Sequence, residues 1–293
     1  MKIHFAGLEQ IESSVILNKV SGINYALFTV FPFICKQFKI GSSRKNGKEV
    51  TKYLTDNFNH TIMDSGLFTL MFGAHAGKRD RDFVTAWQHA IINFVRETKY
   101  TGTVVEVDCQ KILGVDSAWE FRKKLRKELP NNQQMNVFHI EDGKEGLIKM
   151  AKWSKYIALS IPEFRALGWK NIPLKVTQLC NIIKNENPDI KIHLLGCTQK
   201  NILEKTKFCY SSDSTSWMQV NRWGSQIVFN NGKYEKVKRK TVVEQSKILK
   251  NKIRKVLTEE KIKVPANLEG WANTAMSGIY LKQMYSKYAG SQE

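Results

Sequence analysis

Three aspartates stand at the ends of short apolar runs: Asp64 in Thr61-Ile-Met-Asp64-Ser-Gly66, Asp108 in Val104-Val-Glu-Val-Asp108-Cys109, and Asp213 in Ser212-Asp-Ser-Thr-Ser-Trp217. A single aspartate at a strand-to-helix junction often serves only as an N-cap, because its carboxylate accepts from free backbone N–H groups. Three that converge on one pocket can do more. Two carboxylates divide the labour of glycosidic chemistry, one attacking an oxocarbenium-like carbon and the other moving the proton. A third can accept hydrogen bonds from the edge of a base. Gly66 beside Asp64 permits a tight turn or a close approach of backbone to ligand.

Such a pocket needs strands that deliver their ends to one side. Apolar or β-branched runs at residues 2–7, 25–31, 61–64, 103–108, 136–140, 156–161, 191–195 and 208–212 alternate with helix-length segments, the pattern of parallel strands joined by crossover helices. Their number matches a (β/α)8, or TIM, barrel, an α/β fold whose chemistry sits at the C-terminal strand ends. Helical spacing predicts helices over 86–98 and 174–184, and a helix capped by Asp116 or Ser117 that runs to Pro130. Its tract Arg122-Lys-Lys-Leu-Arg-Lys127 reads as an outer solvated face. After Trp217 the pattern changes: Asn231-Gly232 signals a β-hairpin, and lysine-rich residues 236–263 read as an amphipathic basic helix packed on the barrel. A short final helix follows from Met276. The expected division is a catalytic barrel over 1–224 and, over 225–293, a hairpin and basic helical extension of the same domain.

Of 293 residues, 46 are Lys or Arg against 27 Asp or Glu, a formal charge of +19. That excess attracts a polyanion through phosphate contacts and counterion release, which makes nucleic acid the expected partner. Five scattered cysteines without C-x-x-C spacing argue for reduced thiols and against a disulfide framework. The N-terminus lacks the apolar core of a signal peptide, and no apolar run approaches the roughly 18 residues that span a bilayer. The expected location is the cytoplasm, that of the host cell if the gene is carried by a phage.

Asp64-Ser-Gly-Leu-Phe-Thr69 resembles the D-S-G-x-F signature of tRNA-guanine transglycosylases, and Val107-Asp-Cys109 resembles the strand-end aspartate with which those enzymes recognise the exchanged base. His193-Leu-Leu-Gly196 with Ser212-Asp-Ser-Thr-Ser-Trp217 is similar to the phage-encoded relatives that insert 7-deazaguanines into DNA. The resemblance covers about Thr61 to Trp217. It implies exchange of guanine in DNA for a 7-deazaguanine such as 7-cyano-7-deazaguanine, through a covalent aspartyl-glycosyl intermediate, protecting phage DNA from restriction. Asp213 then matches the nucleophile, Asp64 the general acid/base, Asp108 the reader of the guanine edge and Gly196 the glycine lying against the base. Ser65, Gly66 and Phe68 would form the pocket wall.

A base in a duplex must be flipped out before its C1′ can be attacked, which favours an aromatic wall and a basic rim. Phe68, Phe72, Trp217 and Trp223 are the candidate stacking surfaces. Lys36, Lys39, Arg44, Lys45 and Lys48 follow the second predicted strand, and Lys78, Arg79 and Arg81 follow the third, so both groups are expected where phosphates would pass. Relatives acting on tRNA carry a zinc site of three cysteines and a histidine, whereas no cysteine follows Cys209 here. No metal and no cofactor is expected beyond the incoming base, and DNA is favoured over tRNA. Two alternatives remain: the same exchange on tRNA, and a non-catalytic barrel that binds nucleic acid.

Overall fold

The computed structural model describes residues 1–67, 70, 79–218 and 247–288, together with the backbone of 225–230, 233–238 and 244–246. Eight parallel strands close into a (β/α)8 barrel in chain order. They are β1 (Lys2–Ala6), β2 (Tyr25–Thr29), β3 (His60–Asp64), β4 (Thr103–Val105), β5 (Gln134–Phe138), β6 (Tyr156–Ser160), β7 (Lys191–Leu195) and β8 (Ser211–Ser214). β8 returns to β1 and sets His4 opposite Asp213, while β2 sets Thr29 opposite Asp64. Each strand lies within three residues of its expected ends. The largest shifts are at β4, which stops at Val105 and leaves Asp108 in the loop beyond it, and at β8, which starts at Ser211 and contains Asp213.

Alternation along the strands separates two cores, as the period of two requires. Ile3, Phe5, Ala26, Phe28, Ile157 and Leu159 pack outward against the helices. Ala6, Leu27, Ile62, Val105, Val137 and Ala158 form a separate cluster inside the barrel. The interior is also polar, with His4, His193 and Ser211 fully buried among these residues.

In chain order the helices are α1 (Ile11–Val15), α2 (Phe31–Ile34), α3 (Gly47–Asn57), α4 (Arg81–Thr98), α5 (Gln110–Glu128), α6 (Gly143–Trp153), α7 (Ile161–Ala166), α8 (Ile172–Glu186), α9 (Lys200–Lys205), α10 (Glu244–Glu259) and α11 (Leu268–Ser286). α4 begins ahead of the expected residue 86 because the Asp80 carboxylate caps it, accepting from Phe83 N at 2.9 Å. Its buried stripe of Val84, Trp87, Ile91 and Val95 follows the helical repeat. α5 begins after Cys109 rather than after Asp116 or Ser117, and it is interrupted at Gly114, whose φ of 81° falls in the left-handed half of conformational space. Arg122 on α5 is fully buried, so the expected solvated face does not begin there.

β9 (Ser225–Asn230) and β10 (Lys233–Lys238) pair antiparallel, as the hairpin signal predicts, although the Asn231-Gly232 turn itself lies outside the described residues. Lys236 and Lys238 belong to β10, so the basic helix is the shorter α10. Ile253 and Leu257 on α10 and Ala272, Ala275 and Leu281 on α11 join the outer core of the barrel. Ser21 Oγ donates to Ala275 O at 2.9 Å, and the Met1 amino group donates to Tyr288 O at 2.8 Å. No helix among the described residues is long and apolar enough to cross a membrane.

Candidate active site

Asp213 points from β8 toward the loop after β7. Its Oδ1 accepts from Gly196 N at 2.7 Å and from His193 Nε2 at 3.1 Å, and Oδ2 has no hydrogen-bond partner among the described residues. With Nε2 donating, His193 Nδ1 accepts from Ser211 Oγ at 2.6 Å, and Ser211 in turn bonds the Tyr156 hydroxyl. One carboxylate oxygen is thereby anchored and the other is left to react. Gly196 has φ 59°, and a Cβ there would come within 2.7 Å of Pro162 Cγ, so only glycine brings its N–H to Asp213 in this way.

Asp64, at the end of β3, accepts from Gly66 N at 3.0 Å on Oδ2. Burial pushes its carboxyl up to about 7, the Asp108 charge adds to that, and Asp213 and Glu9 contribute further against the opposing Gly66 N–H. A carboxyl half-protonated near neutral pH can both give and take a proton there. Gly66 also has a positive φ of 72°, with Phe31 Cβ 2.7 Å from where a Cβ would stand.

Asp108 is the start of a buried ionic chain. Ser65 Oγ donates to its Oδ1 at 3.3 Å, and His139 Nε2 lies 3.1 Å from its Oδ2. His139 Nδ1 is 2.9 Å from Glu163 Oε2, and Lys111 Nζ is 2.7 Å from Glu163 Oε1. Burial opposes charge on His139, but its hydrogen bonds to Asp108 and Glu163 outweigh burial and raise it to about 10. Beside this chain, Arg122 Nε bonds both oxygens of buried Glu106 at 2.9 and 2.7 Å, and its Nη1 lies 3.6 Å from Asp142 Oδ1. His139, Glu141 and Glu163 bring metal-ligand atoms within 4.8 Å of one another, but the Lys111 ammonium stands among them, 3.9 Å from Glu141 Oε1. The five cysteines are buried free thiols, and burial pushes Cys109 up to about 12 and Cys197 to about 11, which makes both poor nucleophiles.

Asp64, Ser65, Gly66, Asp108, Gly196 and Asp213 therefore gather at the C-terminal mouth of the barrel, as expected from sequence. Lys36, Lys39, Arg44, Lys45 and Lys48 are exposed on the segment after β2. Arg79 lies over the Phe83 ring at 4.6 Å. Arg81 pairs with Glu120 and donates to Ser117 Oγ at 3.1 Å, so its charge is met within the protein. Trp217 is a correction: only 4% exposed, it donates its indole N–H to Ala6 O at 2.8 Å and packs against the barrel rather than standing free to stack. Phe68, Phe72, Lys78 and Trp223 lie outside the described residues. Sequence reasoning missed His139, Glu163, Lys111 and Glu9. The first two stand just beyond β5 and β6, and Glu9 just beyond β1, so the strand-end rule that found the aspartates also applies to them.

No protein-family model matches the sequence, and no curated protein matches it. Solved structures do match: one, described as QR15, an aldolase, aligns with 73% of this chain and 90% of its own at 12% identity, with a TM-score of 0.47.

Proposed function

We propose that this chain is a DNA guanine transglycosylase, exchanging guanine in DNA for a 7-deazaguanine base by two successive displacements at C1′. The observation that supports it most is the meeting of Asp64, Asp108 and Asp213, where burial, with the charges of the other two added to it, raises the Asp64 carboxyl to about 7. In the first step Asp213 Oδ2 bonds to C1′ as the C1′–N9 bond breaks, and Asp64 delivers a proton to the departing guanine. In the second, Asp64 takes the proton from N9 of the incoming base, whose N9–C1′ bond forms as the C1′–Asp213 bond breaks. Atoms and charge balance, and no cofactor is consumed. Asp108 accepts from the N–H edge of either base.

The excess of positive charge and the exposed Lys36, Lys39, Arg44, Lys45 and Lys48 favour a nucleic-acid backbone as the ligand at the rim. Arg44 shares a cleft with Glu9, Gln10, Met218 and Trp271 beside the mouth, where a nucleotide flanking the flipped one can lie.

Incubation of the protein with duplex DNA and labelled 7-cyano-7-deazaguanine should place label in DNA nucleosides. Asp213→Ala should abolish both exchange and any covalent complex with DNA; an active variant sinks the assignment. Guanine release should fall as pH rises through about 7, because the proton-donating form of Asp64 is then lost. Label entering tRNA in preference to DNA would move the reading to the RNA-directed reaction.

A further inference from the structure

We infer that His139 is a specificity-positioning residue: held between Asp108 and Glu163, it fixes the Asp108 carboxylate toward a base edge carrying two adjacent N–H donors. The inference rests on the base-exchange reading and adds to it a residue and a chemical criterion.

His139 is 2% exposed, and each of its ring nitrogens faces a carboxylate oxygen, Nε2 at 3.1 Å from Asp108 and Nδ1 at 2.9 Å from Glu163. Nε2 donates to Asp108, and the 2.9 Å from Nδ1 to Glu163 is an ion-pair contact rather than an aligned hydrogen bond; a neutral imidazole would set the Nδ1 lone pair against that carboxylate, whereas the imidazolium is attracted to both. Lys111 on the far side of Glu163 completes an alternating line of cation, anion, cation, anion that ends at Asp108. The other charged groups packed around the ring leave this balance intact. Asp142 accepts from the His139 backbone N–H at 3.0 Å and faces Arg122, Arg122 also holds Glu106, and Glu141 stands 3.9 Å from Lys111.

The consequence falls on Asp108. Each of its oxygens already receives one internal donor, from Ser65 and from His139, so the carboxylate cannot turn away without breaking both. Its remaining lone pairs can accept N1–H and the 2-amino group of guanine or of a 7-deazaguanine. Adenine presents the N1 lone pair at that edge, which an ionised carboxylate repels. Discrimination therefore depends on His139 and Ser65 holding the carboxylate toward that edge.

The test combines a titration with binding. In 15N-labelled protein, His139, assigned by the signal missing from His139→Gln, should keep both ring protons to about pH 9; release of the second proton near pH 6.5 overturns the inference. In calorimetry with guanine and adenine, His139→Gln should weaken guanine binding about tenfold or more and narrow its preference over adenine. Glu163→Gln keeps the ring in place, and should weaken guanine at pH 9 while leaving it near wild type at pH 6; it decides the matter if His139→Gln does not fold. Variants that bind guanine within twofold of wild type at both pH values overturn this inference alone. A wild-type protein that binds no guanine overturns it together with the base-exchange reading.

Discussion

Histidines at the two ends of the same barrel differ in charge: His4 and His60 at the floor are held neutral, and His139 at the mouth is held positive. At the N-terminal ends of the strands, His4 Nε2 and His60 Nδ1 are 2.7 Å apart, and His60 Nε2 reaches Thr103 Oγ1 at 3.0 Å. Burial, then His60 and His193, keep His4 well below the usual range; burial, then Lys2 and Lys191, bring His60 down to about 4. At the mouth, His139 is nearly as deeply buried as His4 yet is raised to about 10. The neighbours decide the sign. The floor offers two lysines and other histidines, whereas the mouth offers Asp108 and Glu163, and a buried ring takes the charge that its fixed partners lack.

The largest expected effect comes from breaking the balance of the acidic mouth. Arg122→Met leaves Glu106 and Asp142 buried without their cation, and urea unfolding should show a loss of about 3–5 kcal/mol. A loss below about 1 kcal/mol would mean that the mouth does not depend on internal compensation.

The histidines at the two ends should also pull stability in opposite directions on either side of pH 6.5. His139 binds its proton more tightly when folded, so its contribution is full below 6.5 and is lost as pH rises toward about 10. His60 binds its proton less tightly when folded, so its contribution is full above 6.5 and is lost as pH falls toward about 4. Thermal melting isolates His60 as a difference: the gap between wild type and His60→Gln should change as pH falls from 6.5 toward 4 and stay constant above 6.5. A gap that stays constant down to pH 4 would remove the floor from the comparison. The smallest effect should come from Lys2→Met or Lys191→Met, each of which should let His60 titrate closer to 6.5 by NMR, since burial is the first cause of its depression and the lysines come after it.

The barrel was legible because its strands repeat with a period of two and its helices with a period near 3.6, both visible without any partner. The aspartates were legible because Asp64 and Asp108 close apolar runs and Asp213 follows one. His139 and Glu163 close runs too, yet neither carries a motif, and what gives them a role is each other. Arg122 misled in the opposite direction: in sequence it opens a basic tract, and only the acids across the helix-to-barrel interface show why it is buried. Trp217 stood beside the hydroxyl cluster as a stacking surface until the carbonyl of Ala6, on a strand distant in sequence, claimed its indole N–H.

The sequence by itself determined the eightfold alternation, the positive surface and the three acids at one barrel end, since these follow from local patterning and composition. Only the tertiary structure decided which acids hold protons, which histidines carry charge and which basic groups are free to meet a ligand. Those properties depend on burial and on partners brought together from separate strands: a carboxyl such as Asp64 is moved to about 7 first by burial and then by charges that no local pattern places beside it.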